Sequence, residues 1–153
     1  MNGQIITELC NFDFILSFQF EGVYSCNNLP LCVRSYPSAY IINTTASNTS
    51  GQHWIGIYFH SPKQSYMFDS FGRSPFHLSL SINEFISRNS RTCSYNSRVI
   101  QSSHSHTCGL YCILFLLYMT RQCDFQKYVD SFSMDTRFND FIVYHCLYSI
   151  FNK

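Results

Sequence analysis

The sequence predicts a single α+β domain covering residues 1–153. Two neighbouring aromatic and β-branched runs have the pattern of a β-hairpin, and the apolar run from Cys108 to Met119 has the composition of a buried helix. No repeat, charge block or long linker divides the chain, whose length is that of one ordinary domain. Charged residues make up only 12% of the chain and aromatic residues 18%, so we expect one packed, aromatic core.

The first third of the chain predicts one helix followed by one strand. Residues 7–18 carry apolar side chains near helical spacing, namely Leu9, Phe12, Ile15, Leu16 and Phe18. Gly22 then marks an irregular connection before the short β-prone run 39–43. Residues 43–51 have the Thr, Ser, Asn and Gly composition of a loop, which leads the chain to His53.

Residues 53–59 and 64–68 predict the two strands of the hairpin. If the loop between them has an odd number of residues centred near position 61 or 62, His53 lies opposite or diagonal to Asp69 on the same face. A one-residue change of register would place the two side chains on opposite faces, so their meeting depends on the turn.

The middle of the chain predicts one helix and one more strand. Residues 81–88 form the helix, with Ser81 as its N-cap and Glu84 in the capping-box position. Residues 98–102 form the strand, which leads towards the central apolar segment.

The last part of the chain predicts three helices. Thr107 is expected to cap a helix that begins at Cys108 and runs to about Thr120, and its all-round hydrophobicity places it centrally. Two further helices are expected at residues 123–132 and 137–150. The second would close the core with an apolar face formed by Phe138, Phe141, Ile142, Leu147 and Ile150.

Charge, the amino-terminal pattern and the length of the apolar run exclude several classes of protein. A formal net charge of +1 gives no global field for binding nucleic acid or an acidic membrane. Glu8 and Asp13 lie among the first apolar residues with no basic segment before them, so we expect no secretory signal and an intracellular protein. The apolar run of about a dozen residues is shorter than the roughly 20 that a membrane helix needs.

The expected intracellular location affects how the cysteines and the N-glycosylation patterns are interpreted. The eight cysteines are expected to be free thiols, because the chain is longer than disulfide scaffolds and shows no export signal. The N-glycosylation patterns that begin at Asn43 and Asn48 are then interpreted as polar loop chemistry.

Cys108 is the candidate nucleophile because of its position. A cysteine at a helix amino terminus is stabilised as the thiolate by the partial positive charge of unpaired N–H groups. Gly109 leaves space for a substrate backbone to approach, whereas Cys112 lies one turn deeper in the helix.

A cysteine nucleophile needs a base and a group that fixes the protonated nitrogen of that base. His53 is the candidate base, and Asp69 can orient it across the hairpin. Gln101, seven positions before Cys108, can donate a side-chain N–H to an oxyanion beside the Cys108 backbone N–H.

These residues lie in segments that resemble a known family in order and spacing. The segments are Ile41-Ile42-Asn43-Thr44, Gly51-Gln52-His53-Trp54-Ile55, Met67-Phe68-Asp69-Ser70-Phe71-Gly72, and Gln101 followed by Cys108-Gly109-Leu110-Tyr111-Cys112. They resemble the adenain (adenovirus-type) cysteine proteases, within the SUMO-protease-like group, over about residues 20–120. The chain also resembles the compact proteases of this kind that Maverick/Polinton or related virus-like elements encode.

The resemblance implies a mixed β-sheet flanked by helices, with a central catalytic helix and with cysteine and histidine on opposite sides of a cleft. His53, Asp69, Gln101 and Cys108 would be catalytic, with Asp69 where adenoviral enzymes often have Glu. The implied activity is endopeptidase cleavage of capsid precursor proteins near glycine. Trp54 and Gly109 would contact substrate, with Trp54 as a wall of the cleft. A monomer that needs no cofactor or metal is expected, in the host nucleus or cytoplasm or packaged in virions.

The chain also departs from the adenoviral pattern. Adenoviral enzymes have a longer carboxy-terminal part and are stimulated by DNA and by a peptide that forms a disulfide upstream of the nucleophile. Cys93 is the candidate for such a peptide link, but its spacing to Gln101 differs. The short tail and near-neutral charge argue against DNA stimulation.

Three alternatives remain at this point. A ubiquitin-like-modifier isopeptidase could use the same four residues, because substrate choice depends on the cleft. A zinc-binding module is suggested by His104, His106, Cys108 and Cys112, although their spacing matches no strong zinc pattern. An inactive protease fold kept as a scaffold is disfavoured because all four chemical positions are present.

Overall fold

The computed structural model describes residues 1–47 and 53–152. Within them the chain forms a five-stranded mixed sheet in the order β1-β2-β3-β4-β5. The strands are β1 (Phe20–Ser25), β2 (Ser38–Asn43), β3 (Trp54–Ser61), β4 (Gln64–Phe68) and β5 (Thr92–Tyr95). The helices are α1 (Gly3–Phe12), α2 (Phe14–Ser17), α3 (Pro75–Leu78), α4 (Leu80–Asn89), α5 (Cys108–Met119), α6 (Phe125–Asp130) and α7 (Thr136–Phe151). The predicted α+β class with a mixed sheet is confirmed.

The sheet separates two apolar layers, because alternate side chains of β3 point to opposite faces. Ile55, Ile57 and Phe59 lie in the layer covered by α4. Trp54 and Tyr58 lie in the other layer, which contains α5 and parts of α1, α2, α6 and α7. Nine of the twelve residues of α5 are buried, as its all-round apolar sequence predicts.

Helix α5 packs closely on β3 at a glycine. A Cβ added to Gly56 would lie 2.6 Å from Phe115 Cδ1 and 3.7 Å from the Cys112 Cα, so only glycine fits at this crossing. Phe115 is itself fully buried and contacts the aromatic ring of Phe68 on β4. The middle of α5 is thereby held against the first half of β3.

The predicted hairpin is present as β3 and β4, joined at Pro62 and Lys63. β2 pairs with β3 and β3 with β4 in antiparallel register, whereas β1 with β2 and β4 with β5 are parallel. Gly56 is opposite Phe68, so the β3–β4 register is centred on position 62. Positions 53 and 69 therefore share a face and are diagonal neighbours. The turn itself has two residues rather than the odd number expected, and a register shift between Phe59 and Ser61 restores this pairing.

The prediction for the amino-terminal part was wrong in two respects. The helix of residues 7–18 is two helices, because the Asp13 side chain accepts a hydrogen bond from Leu16 N and starts a second helix. The segment at Gly22 is strand β1 rather than an irregular connection, and Gly22 has a φ of 131° where the register shifts.

The predicted strand at 98–102 is also wrong. This segment is irregular, and Ile100 N and Gln101 N both donate to the Ser70 carbonyl. The strand of this region is β5, a short edge strand that pairs with β4. The helix before it is capped by Ser79, whose hydroxyl accepts from Ile82 N, rather than by Ser81.

The carboxy-terminal helices are present, but the buried face of α7 differs from the prediction. α7 buries Asn139, Val143 and Leu147, whereas four members of the predicted apolar face are exposed, namely Phe138, Phe141, Ile142 and Ile150. The cause is a polar contact: Asn139 Nδ2 donates to the carbonyls of Ile100 and Ser133. The side of α7 that carries Asn139 therefore packs against the core.

In residues 1–47 and 53–152, each helix is too short or too polar to cross a membrane. All eight cysteines belong to the described residues and carry free thiols. The glycosylation pattern at Asn43 begins at the end of β2, where the Asn43 side chain accepts from Thr45. The pattern at Asn48 lies outside the described residues, as do Gly51 and Gln52.

Candidate active site

Cys108 is the first residue of α5, and its side chain is close to the surface of a cleft. The residue is 7% exposed, and it lines the cleft together with His53 and Trp54. Thr107 precedes the helix but its hydroxyl makes no capping bond; it donates instead to Asp140 Oδ1 at 3.1 Å. The unpaired N–H groups at the start of α5 therefore remain directed at the Cys108 region.

His53 and Asp69 meet across the open end of the β3–β4 hairpin. His53 Nε2 lies 2.6 Å from Asp69 Oδ1, and the Asp69 side chain is fully buried. Asp69 Oδ1 also accepts from Phe71 N, while Oδ2 accepts from Arg73 N and Arg73 Nε. These donors fix the carboxylate plane, so the aspartate can hold the histidine ring in one orientation.

The His53 ring lies between a carboxylate and a thiol. Burial alone would lower the pKa of His53, but hydrogen bonds with Asp69 and Cys108 outweigh it and raise the pKa. Because Nε2 is bonded to Asp69, Nδ1 is the ring nitrogen that remains for the Cys108 thiol. The ring is packed against Phe71, with a centroid distance of 4.9 Å.

The pKa values of Cys108 and Asp69 shift in the opposite direction to that of His53. Burial would raise the pKa of the Cys108 thiol, but its hydrogen bonds with His53 and with the Trp54 and Gly109 backbone lower it. Burial opposes ionisation of Asp69 as well, and the His53 bond lowers its pKa. The geometry therefore favours a thiolate beside an imidazolium, with an ionised aspartate behind it.

Gln101 lies beside the cleft in the irregular segment before α5. Its carboxamide is only 1% exposed, with Oε1 accepting from Ser70 Oγ at 2.7 Å and Nε2 donating to the Ser105 carbonyl at 2.9 Å. An amide nitrogen carries two hydrogens, so one N–H remains for another acceptor. Gln101 and Cys108 line the same cleft, which has a volume of about 480 Å³.

Trp54 lines this cleft, whereas Gly109 is not part of its lining. Trp54 is 5% exposed, with its Nε1 donating to the Met1 carbonyl. Gly109 is buried, and a Cβ there would lie 3.2 Å from Ile6 Cδ1 and 3.3 Å from Met1 Sδ. The amino-terminal segment of the chain therefore packs against Gly109 on the side where a Cβ would project. Contact of Gly109 with substrate stays a prediction. The Gly109 backbone is one of the groups that lower the pKa of the Cys108 thiol.

The sequence profile of the adenovirus endoprotease family matches residues 20–139. The chain belongs to the adenovirus endoprotease family. Within this family, the protease of bovine adenovirus C serotype 10 is 38% identical over 88 residues, covering 50% of this chain and 45% of that protein. The protease of porcine adenovirus A serotype 3 is 31% identical over 97 residues, covering 55% and 48%. The chain thus matches about half the length of these adenovirus proteases.

A solved structure supports the fold of this family member. The crystal structure of the ASFV pS273R protease aligns with a TM-score of 0.50 at 18% identity, covering 69% of this chain and 43% of that one. The match to the family profile confirms the predicted adenovirus-type family, whereas the link to Maverick/Polinton elements stays a prediction. The four proposed catalytic residues all lie within the region that the family profile matches.

The structure adds residues that sequence reasoning missed. Ser70 and Arg73 contact Gln101 and Asp69, and Met1 and His106 line the cleft. Arg73 lies four positions after Asp69, and an ion pair between two opposite charges so near in sequence could have been predicted. Met1 gave no signal, because its position depends on how α1 packs against α5.

The zinc-module interpretation finds no support in the described residues. Among residues 1–47 and 53–152, no three His, Cys, Asp or Glu side chains are grouped as metal ligands. Cys112 is fully buried in the apolar core, away from His104, which is exposed. Cys93, the candidate for a peptide link, lies half-buried on the edge strand β5, and burial raises its pKa.

Proposed function

We propose that this chain is a cysteine endopeptidase of the adenovirus type, with Cys108 as nucleophile, His53 as its base and Asp69 as the group that orients the histidine. The observation that carries the proposal is the His53 ring, which lies 2.6 Å from Asp69 and lines the same cleft as Cys108. The raised pKa of His53 and the lowered pKa of Cys108 favour the charged pair that attacks a carbonyl.

In the first half-reaction, the Cys108 thiolate attacks the carbonyl carbon of the scissile peptide bond, and the carbonyl π-electron pair moves onto oxygen. The oxyanion accepts hydrogen bonds from the Cys108 backbone N–H and from Gln101 Nε2. When the intermediate collapses, the C–N bond breaks and His53 donates its Nδ1 proton to the departing amine. This step yields a free amine and a thioester on Cys108.

In the second half-reaction, water attacks the thioester while His53 takes a proton from it. The same donors stabilise the second oxyanion, and collapse of this intermediate breaks the C–S bond. The carboxylic acid leaves, and Cys108 returns as a thiolate paired with protonated His53. Asp69 stays ionised throughout and stabilises the imidazolium.

The proposed substrates are viral or virus-like capsid precursor proteins, cleaved near glycine-containing sites. Family membership supports a protein substrate. The cleft beside Cys108 is bordered by the apolar side chains of Met1, Trp54 and Phe71, which restrict the room for a large side chain at the scissile bond. Glycine avoids this restriction and lets a substrate backbone approach closely.

The proposal treats residues 1–153 as one monomeric domain. Activation through Cys93 is its least supported part, because a thiol with a raised pKa exchanges slowly with disulfides at neutral pH. Stimulation by DNA is not included.

The test is a substrate panel followed by mapping of the cut sites. The purified chain is incubated with capsid precursor proteins and with SUMO and ubiquitin conjugates, and the new termini are identified by mass spectrometry. We expect cleavage of the precursors after or near glycine. Cleavage of only the conjugates would instead identify a ubiquitin-like-modifier isopeptidase.

Cys108→Ala should abolish cleavage in this panel without unfolding the protein, because it removes the nucleophile and little volume. Cys32→Ala provides a matched control, since Cys32 is exposed and remote from the cleft lining. Retained turnover in the Cys108 variant would overturn the proposal.

A further inference from the structure

We infer that Ser70 is a positioning residue for the oxyanion donor: its hydroxyl holds the Gln101 carboxamide in the one orientation that leaves an N–H for the oxyanion. The inference rests on the proposed function, because it assigns a role to a residue that holds one of the proposed catalytic residues in place. It starts from a buried contact that the triad does not use, the bond of 2.7 Å from Ser70 Oγ to Gln101 Oε1. Both residues are at most 1% exposed, so water does not replace this donor.

The polarity of the Gln101 amide is fixed by its two partners. The Ser105 carbonyl can only accept, so the Gln101 atom 2.9 Å from it must be the nitrogen. Oε1 then faces Ser70, and the hydroxyl of Ser70 must donate to it. A flipped amide would place two oxygens together at Ser105, which is unfavourable in a buried site. The remaining hydrogen on Nε2 is therefore the one available to the cleft.

The Ser70 backbone holds the same segment. Its carbonyl accepts from both Ile100 N at 2.8 Å and Gln101 N at 3.1 Å. Ser70 thus fixes Gln101 through the main chain and through the side chain. Because Ser70 directly follows Asp69, two consecutive residues position the two halves of the site: Asp69 orients the base, and Ser70 orients the oxyanion donor.

The other partner of Gln101 is also held in place. Ser105 Oγ is 2.9 Å from Thr107 Oγ1, and Thr107 in turn donates to Asp140 on α7. Asp140 Oδ2 further accepts from Ser102 N. The Ser105 carbonyl is therefore anchored independently of Ser70, so loss of the Ser70 hydroxyl should free only one end of the amide.

The activity test compares Ser70→Ala with a matched deletion of another buried serine hydroxyl. Ser65→Ala is the control: Ser65 is fully buried and bonds Ser90 Oγ at 2.7 Å, outside the cleft lining. For Ser70→Ala we expect kcat to fall about tenfold with KM nearly unchanged, the effect of one lost hydrogen bond expressed in the transition state. Ser65→Ala should leave kcat unchanged. Equal kcat in Ser70→Ala and the unaltered chain would overturn the inference.

A double variant shows whether Ser70 acts through Gln101. Gln101→Ala alone should lower kcat on the order of 10²-fold to 10³-fold as a lost oxyanion donor. Adding Ser70→Ala to it should cause no further loss, because no amide remains to be positioned. Independent, multiplying losses would show that Ser70 acts by another route and would contradict the inference.

An NMR measurement tests the inference without requiring turnover. In the ¹⁵N-labelled chain, the Gln101 side-chain NH₂ pair is assigned by its disappearance in Gln101→Ala. We expect this pair to shift and to lose protection from hydrogen exchange in Ser70→Ala, and to be unaltered in Ser65→Ala. An unchanged pair in Ser70→Ala would refute the inference even if the chain cleaved nothing. Failure of the proposed function would appear separately, as absence of turnover in the unaltered chain.

Discussion

Replacing Asp69 by Asn tests the charge behind the histidine while keeping the size of the side chain. Asp69 is fully buried and accepts four hydrogen bonds, two on each oxygen. An amide can accept on only one side, so two donors lose their acceptor. The oxygen should stay towards His53 and Phe71 N, because Arg73 on the other side is 42% exposed and its side chain can turn to water.

The magnitude follows from this orientation. The bond from the His53 imidazolium to a carboxylate becomes a bond to a neutral amide, a loss of about 1–1.5 kcal/mol. We therefore expect kcat/KM to fall about tenfold, since 1.4 kcal/mol corresponds to one factor of ten. The Arg73 backbone N–H is left facing an amide N–H₂, so the free energy of unfolding should also fall, by about 2–4 kcal/mol.

The assay combines the cleavage rate of a peptide from the substrate panel with urea unfolding of the same samples. Asp13→Asn is the matched control: Asp13 caps α2 through Leu16 N and pairs with Arg121 Nη2 at 2.6 Å, away from the cleft. It should lower stability and leave kcat/KM unchanged. If Asp69→Asn lost stability but kept full kcat/KM, the role of Asp69 in orienting and charging the base would be refuted.

Two further predictions concern packing and the thiol. Gly56→Ala should lower the free energy of unfolding by about 1–3 kcal/mol, because the added Cβ would overlap the buried Phe115 ring. Urea unfolding measures this change, and unaltered stability would show that the ring can move. Cys108 should be alkylated by iodoacetamide at lower pH than an ordinary cysteine, because its pKa is lowered, and His53→Ala should move this profile to higher pH. Peptide mapping locates the alkylated cysteine, and Cys112 is the unreactive reference because complete burial raises its pKa. If the pH dependence of Cys108 alkylation were the same in His53→Ala, the proposed pairing of Cys108 with His53 would be contradicted.

The parts of the fold that were predictable carry strong local signals. The hairpin was found because both strands are aromatic and β-branched, and α5 because it is apolar on every side. β1 and β5 were missed since the first contains Glu21 and Gly22 and the second is a polar edge strand that buries little. Their positions depend on pairing with β2 and β4, which is long-range information.

The candidate site shows the same division between local and long-range information. Cys108 could be singled out from its place at a helix start, whereas the meeting of His53 and Asp69 depends on the turn together with a register shift in β3 that the sequence does not reveal. The contacts of Ser70 and of Met1 could not be read from the chain, because they join segments far apart in sequence. The face of α7 was mispredicted because one polar residue, Asn139, is buried to satisfy the Ile100 carbonyl.

The central claim is that Cys108 forms a thioester with the substrate, and trapping this acyl-enzyme tests it most directly. A peptide ester ending in glycine is mixed with the chain, quenched in acid within the first turnover, and measured by intact mass and peptide mapping. We expect an added acyl group on the peptide containing Cys108, absent from Cys108→Ala and still formed, more slowly, by Gln101→Ala. An adduct on another residue, or turnover of the ester without any adduct on Cys108, would contradict it.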